Sequence, residues 1–138
     1  MHDIEATAAD IIDAALKLHK DLGPGLLESV YETILAAQLV RRGHEVVQQC
    51  PIDIEYDGLR FQAAFRADLI VNGCVLVEMK SVERLTAVHG KQVLTYLRLL
   101  KQPLGLLINF GGETLKEGLR RIVNDYKPLA PSRLRVNQ

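Results

Sequence analysis

The chain has 138 residues, of which 48% are hydrophobic and 25% charged, with Lys+Arg and Asp+Glu both totalling 17. That length fits one domain able to bury roughly 70% of its unfolded surface without staples. Zero formal net charge excludes a strongly basic nucleic-acid footprint and leaves only local patches, while Cys50 and Cys74, outside any CxxC or Cys/His cluster, argue against a disulfide framework and structural zinc.

Residues 4–22 carry apolar side chains at helical spacing, from Ile4 through Ile11, Ile12 and Leu16 to Leu22. Gly23-Pro24-Gly25 breaks that helix. A second helix is expected from Leu26 to Arg42, with Leu27, Val30, Tyr31, Ile34, Leu35 and Leu39 as its apolar stripe and Gly43 at its end. Strand character follows over residues 46–56, where Pro51 suggests an edge or a bulge. Asp57-Gly58 is a hairpin signal. The next strand, Leu59 to Val71, is long and is expected to bend near Ala63-Ala64. Asn72-Gly73 marks another turn and leads into Cys74–Lys80.

Thr86 is a plausible N-cap for a helix running to Lys101, which Gln102-Pro103 ends. Leu104-Gly105-Leu106-Leu107-Ile108-Asn109-Phe110 is a continuous apolar run, the mark of a buried and often parallel strand. After Gly111-Gly112, Thr114-x-x-Glu117 fits a capping box, so a last helix is expected to end near Tyr126. The order is α-α-β-β-β-α-β-α, an α/β (α+β) chain with helices on a mixed sheet. It reads as one domain over residues 1–127 with a loose tail over 128–138. The chain shows no charged-then-apolar leader and no run of 18 apolar residues, so the expectation is a soluble, cytoplasmic protein without membrane partners.

The stretch Val75-Leu76-Val77-Glu78-Met79-Lys80 carries the strongest chemical signal. On a strand, Glu78 and Lys80 share a face with Leu76, while Val75, Val77 and Met79 face the other way. Charges inside so apolar a strand are costly unless they are paired or used. Asp68 interrupts the preceding strand in the same manner. A two-residue turn at Asn72-Gly73 would set Asp68 opposite Val77, away from Glu78. A three-residue loop, Val71-Asn72-Gly73, would set it opposite Leu76 and diagonal to Glu78 on one face. A metal site requires that second register, or a bulge with the same effect. Adjacent carboxylates are the hard ligands that Mg²⁺ or Mn²⁺ prefers, and Lys80 could stabilise developing negative charge. The bland alternative is a Glu78–Lys80 surface pair with Asp68 solvated.

Two helices add candidates. His89, Gln92 and Tyr96 share one helical face, which would suit a cleft wall or simply a helix flank. Glu28, in a first turn, is favoured by the helix dipole without any function. His19 reads as a packed core histidine.

Together these residues resemble the GxxExxY proteins, a group within the PD-(D/E)xK nuclease superfamily. The likeness rests on Gly25-x-x-Glu28-x-x-Tyr31, then Asp68, Glu78-x-Lys80 and Gln92-x-x-x-Tyr96, closing on Gly105–Phe110, in the family's order over about residues 3–126. Ala67 stands where the superfamily often has proline, and Gly90-Lys91 is an unusual helix opening. The resemblance implies a restriction-endonuclease-like core with a mixed four-stranded sheet. It implies Mg²⁺ (or Mn²⁺) on Asp68, Glu78 and the Met79 carbonyl. Lys80 would orient the attacking water, Glu28 would reach the metal directly or through water, and Gln92 and Tyr96 would line the site, with His89 a weaker candidate. The implied activity is phosphodiester hydrolysis of nucleic acid, DNA ahead of RNA. The rival reading is a non-catalytic module for nucleic acid or protein, using patches such as Arg41-Arg42 and Arg120-Arg121. A homo-oligomer paired through the edge near residues 46–56 is a third.

Overall fold

The computed structural model describes residues 2–125; the expected tail at 128–138 and the expected helix end at Tyr126 lie outside them. The periodic segment at the start forms α1 (Ile4–Leu22), capped by Asp3, whose carboxylate accepts from the Glu5 and Ala6 amides at 2.9 and 3.2 Å. Next comes α2 (Glu28–Arg41), which starts two residues later than the sequence suggests because Gly23–Leu27 form an irregular loop. The chain continues through β1 (Val46–Tyr56), β2 (Leu59–Val71), β3 (Val75–Lys80), α3 (Ala87–Leu100), β4 (Leu104–Asn109), a single 3₁₀ turn (Lys116–Gly118) and β5 (Leu119–Val123).

The strands form one sheet in the order β1-β2-β3-β4-β5. β3 and β4 run parallel, with α3 as their crossover, and the other neighbours are antiparallel. Val75, Val77 and Met79 face α1 and α2 in one core, with Ile11, Leu35, Tyr31 and Phe110. Leu76 faces α3 in a second core, with Val93, Leu97, Leu107 and Ile122. Every residue of β4 is buried, as its unbroken apolar run requires. Gly105 lets α3 lie close on the sheet, since a Cβ there would stand 2.9 Å from Val93 Cγ1.

The expected last helix is replaced by the 3₁₀ turn and β5, which makes the sheet five-stranded rather than four. Thr114 does bond to Glu117, at 3.1 Å, but the helix stops within one turn. The physical reason is the outer edge of β4. Its backbone groups need partners, and residues 119–123 supply them from Ile108↔Leu119 to Leu104↔Val123. Arg121 then turns inward and is buried against Glu5 of α1, with Nη1 donating to Oε1 at 2.9 Å.

The β1–β2 hairpin outgrows the sheet. It pairs from Val46↔Val71 out to Tyr56↔Leu59, whereas β2 pairs with β3 only over Leu69–Val71. The expected bend is present: Ala63 has φ 50°, and its N–H donates to Asp53 Oδ1 at 2.8 Å across a shift in register.

Candidate active site

Asp68 and Glu78 meet where β2 and β3 separate. Asn72 and Gly73 are both left-handed (φ 54° and 64°), and the Cys74 N–H donates to the Val71 carbonyl at 3.0 Å. Cys74 is an extra residue, so Val71 pairs with Val75 and the ladder ends at Leu69↔Val77. This is neither of the two registers weighed from the sequence; it is the bulge with the same effect. It moves the pairing one step the other way, and Asp68 falls across from Glu78 instead of Leu76. Asn72 locks the turn, accepting from the Glu45 N–H at 2.9 Å and donating its own N–H to the Glu45 carbonyl at 2.7 Å.

Beyond the last ladder pair, the carboxylates take over the backbone bonding. The Asp68 N–H donates to Glu78 Oε2 at 2.7 Å, and the Met79 N–H donates to Asp68 Oδ2 at 2.8 Å. The alternation of β2 breaks at the same place. Ala67 lies in the core under α3, while Leu69 lies in the core under α1 and α2.

Burial raises both carboxyls. Glu78 is pushed from 4.5 up to about 8, first by desolvation and then by the charge of Asp68, with Lys80 pulling the other way. Asp68 is also raised, mainly by burial, against the hydrogen bonds from Met79 and Gln49. Lys80, half-buried, follows Glu78 on the face that Leu76 presents to α3.

Glu28 arrives from the start of α2 and accepts from the Ser81 N–H at 3.3 Å, just past Lys80. Tyr31 positions it. This tyrosine is fully buried, stacks on Phe110 at 4.4 Å, donates to the Gly23 carbonyl at 2.5 Å and accepts from the Leu26 N–H at 3.2 Å. The spacing of Gly25, Glu28 and Tyr31 thus has a local cause: Tyr31 ties down the loop that presents Glu28, and Gly25 takes φ 109° within it. An open cleft of about 720 Å³ lies along this loop and Ser81.

On α3, Tyr96 stacks on Phe65 of β2 at 3.9 Å, feels the charges of Glu78 and Asp68, and is hydrogen-bonded by Gln92. Tyr96 therefore lies within electrostatic reach of the carboxylates, with Gln92 bonded to it. His89 instead closes the start of its own helix, where its Nδ1 accepts from the Thr86 N–H at 3.0 Å. His19 is the packed histidine expected, buried beside Phe110 with Nε2 3.1 Å from the Gly112 carbonyl.

Three residues of the site were missed in the sequence. Glu32, 9% exposed, accepts from Gln48 and Gln49 and adds its charge to those acting on Glu78. It lies four residues after Glu28, a helical spacing that could have found it. Gln49 joins Glu32 to Asp68 and carries no such signal. Asn109 accepts from the Val82 N–H at 2.9 Å and donates to the Val82 carbonyl at 2.8 Å, which fixes the segment after Lys80. The expected basic patches are partly spent. Arg42 binds Asp10 and Asp13 at 2.5 and 2.9 Å, and Arg121 is buried on Glu5.

The donor set suits a divalent cation. Two carboxylates share a desolvated notch, where burial opposes ionisation of both, the charge of Asp68 bears on Glu78 and that of Glu28 bears on Asp68; a bound cation would relieve these. Among the described residues no three His, Cys, Asp or Glu side chains form a metal-holding group. Mg²⁺ is commonly held by only one or two carboxylates with water, so a pair is enough.

A mixed sheet with a parallel central pair, and with Asp68 and Glu78-x-Lys80 where two strands part, defines a restriction-endonuclease-like protein. A family model described as the PD-(D/E)XK nuclease superfamily matches residues 5–122, and the chain belongs to that superfamily. No curated protein and no solved structure matches it significantly. Among the described residues no helix is long and apolar enough to cross a membrane.

Proposed function

We propose that this chain is a Mg²⁺- or Mn²⁺-dependent nuclease of the GxxExxY group that hydrolyses phosphodiester bonds in nucleic acid, DNA ahead of RNA. The observation that carries the reading is that Asp68 and Glu78 are tied together across the strands immediately before Lys80, with the Asp68 N–H on Glu78 Oε2 and the Met79 N–H on Asp68 Oδ2. Asp68, Glu78 and the Met79 carbonyl would hold the cation, which when bound supplies charge for the phosphoryl oxygens and lowers the pKa of water. Lys80 would orient the attacking water and stabilise the charge that develops in line. Glu28, next to Ser81, would hold water on the far side of the notch. Gln92 would steady the Tyr96 hydroxyl, and the Tyr96–Phe65 stack would wall the site toward α3.

The test is cleavage of single- and double-stranded DNA and RNA with Mg²⁺ and Mn²⁺, beside Lys80→Ala and Asp68→Ala. Each substitution should reduce the rate by about 10²-fold or more. Cleavage that survives both would remove this assignment. The rival reading, a binding module built on local basic patches, loses two of its cations, because Arg42 and Arg121 are already paired with carboxylates, and keeps Arg41, Arg84, Lys91, Lys101 and Arg120.

A further inference from the structure

Gln49 is the least expected member of the cluster. It sits on β1 at φ 48°, a left-handed backbone conformation that disfavours a residue with a side chain. It also falls in a gap of the β1–β2 ladder, with Gln48↔Leu69 on one side and Cys50↔Ala67 on the other. Asp68, at the break in β2, lies across that gap. One nitrogen, Gln49 Nε2, lies 2.7 Å from Glu32 Oε1 and 3.2 Å from Asp68 Oδ1. Asp68 Oδ2 meanwhile accepts from the Met79 N–H.

The chemistry of this bridge is specific. An amide NH₂ carries two hydrogens, one for each carboxylate, and no formal charge. Glu32 as a carboxylate can only accept, so it compels the amide to turn its nitrogen, not its oxygen, toward the cluster. Gln48 donates to the second Glu32 oxygen at 3.3 Å, which holds Glu32 in place. A lysine could also bridge two carboxylates, but its charge would neutralise Asp68 and compete with any cation.

We infer that Gln49, oriented by Glu32, is a positioning residue that fixes the Asp68 carboxylate for cation binding without lending it charge. The inference rests on the metal-dependent reading of the site. Loss of an outer partner of this kind lowers metal affinity by about 10- to 100-fold.

Two measurements on the full chain decide it, using wild type, Gln49→Leu and Glu32→Gln, each checked for folding by circular dichroism. The first is amide hydrogen exchange at Met79 in metal-free protein, which reports whether Asp68 Oδ2 still accepts from that N–H. The second is calorimetric titration with Mn²⁺. Gln49→Leu should speed exchange at Met79 about 10-fold and weaken Mn²⁺ binding about 10- to 100-fold. Glu32→Gln loses one of the two acceptor oxygens and the accept-only character that orients Gln49, and should shift both readouts in the same direction as Gln49→Leu, by about 3-fold or more. Gln49→Leu with exchange and affinity like wild type would overturn the inference. If wild type binds no Mn²⁺, the metal reading fails with the inference that rests on it. The Met79 exchange then shows separately whether Gln49 positions Asp68.

Discussion

Glu78 meets two demands that conflict in water-poor surroundings. Its Oε2 serves as an acceptor for the Asp68 N–H, yet burial and the neighbouring charge resist its ionisation. Its carboxyl is raised from 4.5 to about 8, so between those values the native state holds a proton that the unfolded chain has released. The stabilisation is complete below about pH 4.5 and is lost as pH rises through about 8. Urea unfolding of metal-free protein should therefore show stability falling across this window, by up to about 1.4 kcal/mol per pH unit. Glu78→Gln should flatten the slope; an unchanged slope would mean that another group sets it. Tyr31 permits a second test at this scale. Tyr31→Phe keeps the stack on Phe110 but strands the Gly23 carbonyl and the Leu26 N–H. It should cost about 1–3 kcal/mol and, by loosening the loop before Glu28, lower cleavage more than it lowers Mn²⁺ affinity.

At the scale of elements, β3 is gripped from both ends. The Asn72 turn sets its register, and Asn109 holds the segment that follows it. Gly111 completes that grip. A Cβ there would stand 2.3 Å from the Val82 carbonyl oxygen, a clash with backbone that no rotamer relieves. Gly111→Ala should destabilise the fold by roughly 1–3 kcal/mol or more in thermal unfolding. Asn109→Leu, similar in size, leaves the Val82 N–H and carbonyl and the Gly111 N–H without their side-chain partner. It should cost a comparable amount, and a variant as stable as wild type would show that solvent replaces those bonds. β5 likewise answers to its neighbours. Thr114 and Glu117 are a real helix-start signal, but an edge of β4 lined with unpaired backbone groups outweighs local propensity.

For the molecule as a whole, the sheet separates two cores, and the candidate site lies where β2 leaves β3 for the hairpin arm. Residues 53–64 belong to neither core, and Tyr56, Leu59 and Phe61 stand exposed at 77%, 61% and 48%. Replacing Asp53–Ala64 by Asn-Gly, so that the paired Ile52 and Phe65 are rejoined, should change stability by roughly 1 kcal/mol or less. Such a shortened chain should still bind Mn²⁺ like wild type. Failure to fold in circular dichroism would show that the arm is structural after all.

By itself the sequence determined the three long helices and the first four strands, through periodicity, caps and turn residues, all of which act over a few neighbours. It also determined that Glu78 and Lys80 lie on the face opposite Val75, Val77 and Met79, because alternation along a strand admits no other arrangement. Only the tertiary structure decided the register of β2 on β3, since one extra residue at Cys74 moves Asp68 by a full step and leaves the turn sequence looking the same. It alone turned residues 119–123 into a strand, because the need was set by β4 and not by those residues. And it alone brought Glu32 and Gln49 to Asp68, from a helix and a strand 19 or more residues away in the chain, where hydrogen bonding across elements leaves no trace in local pattern.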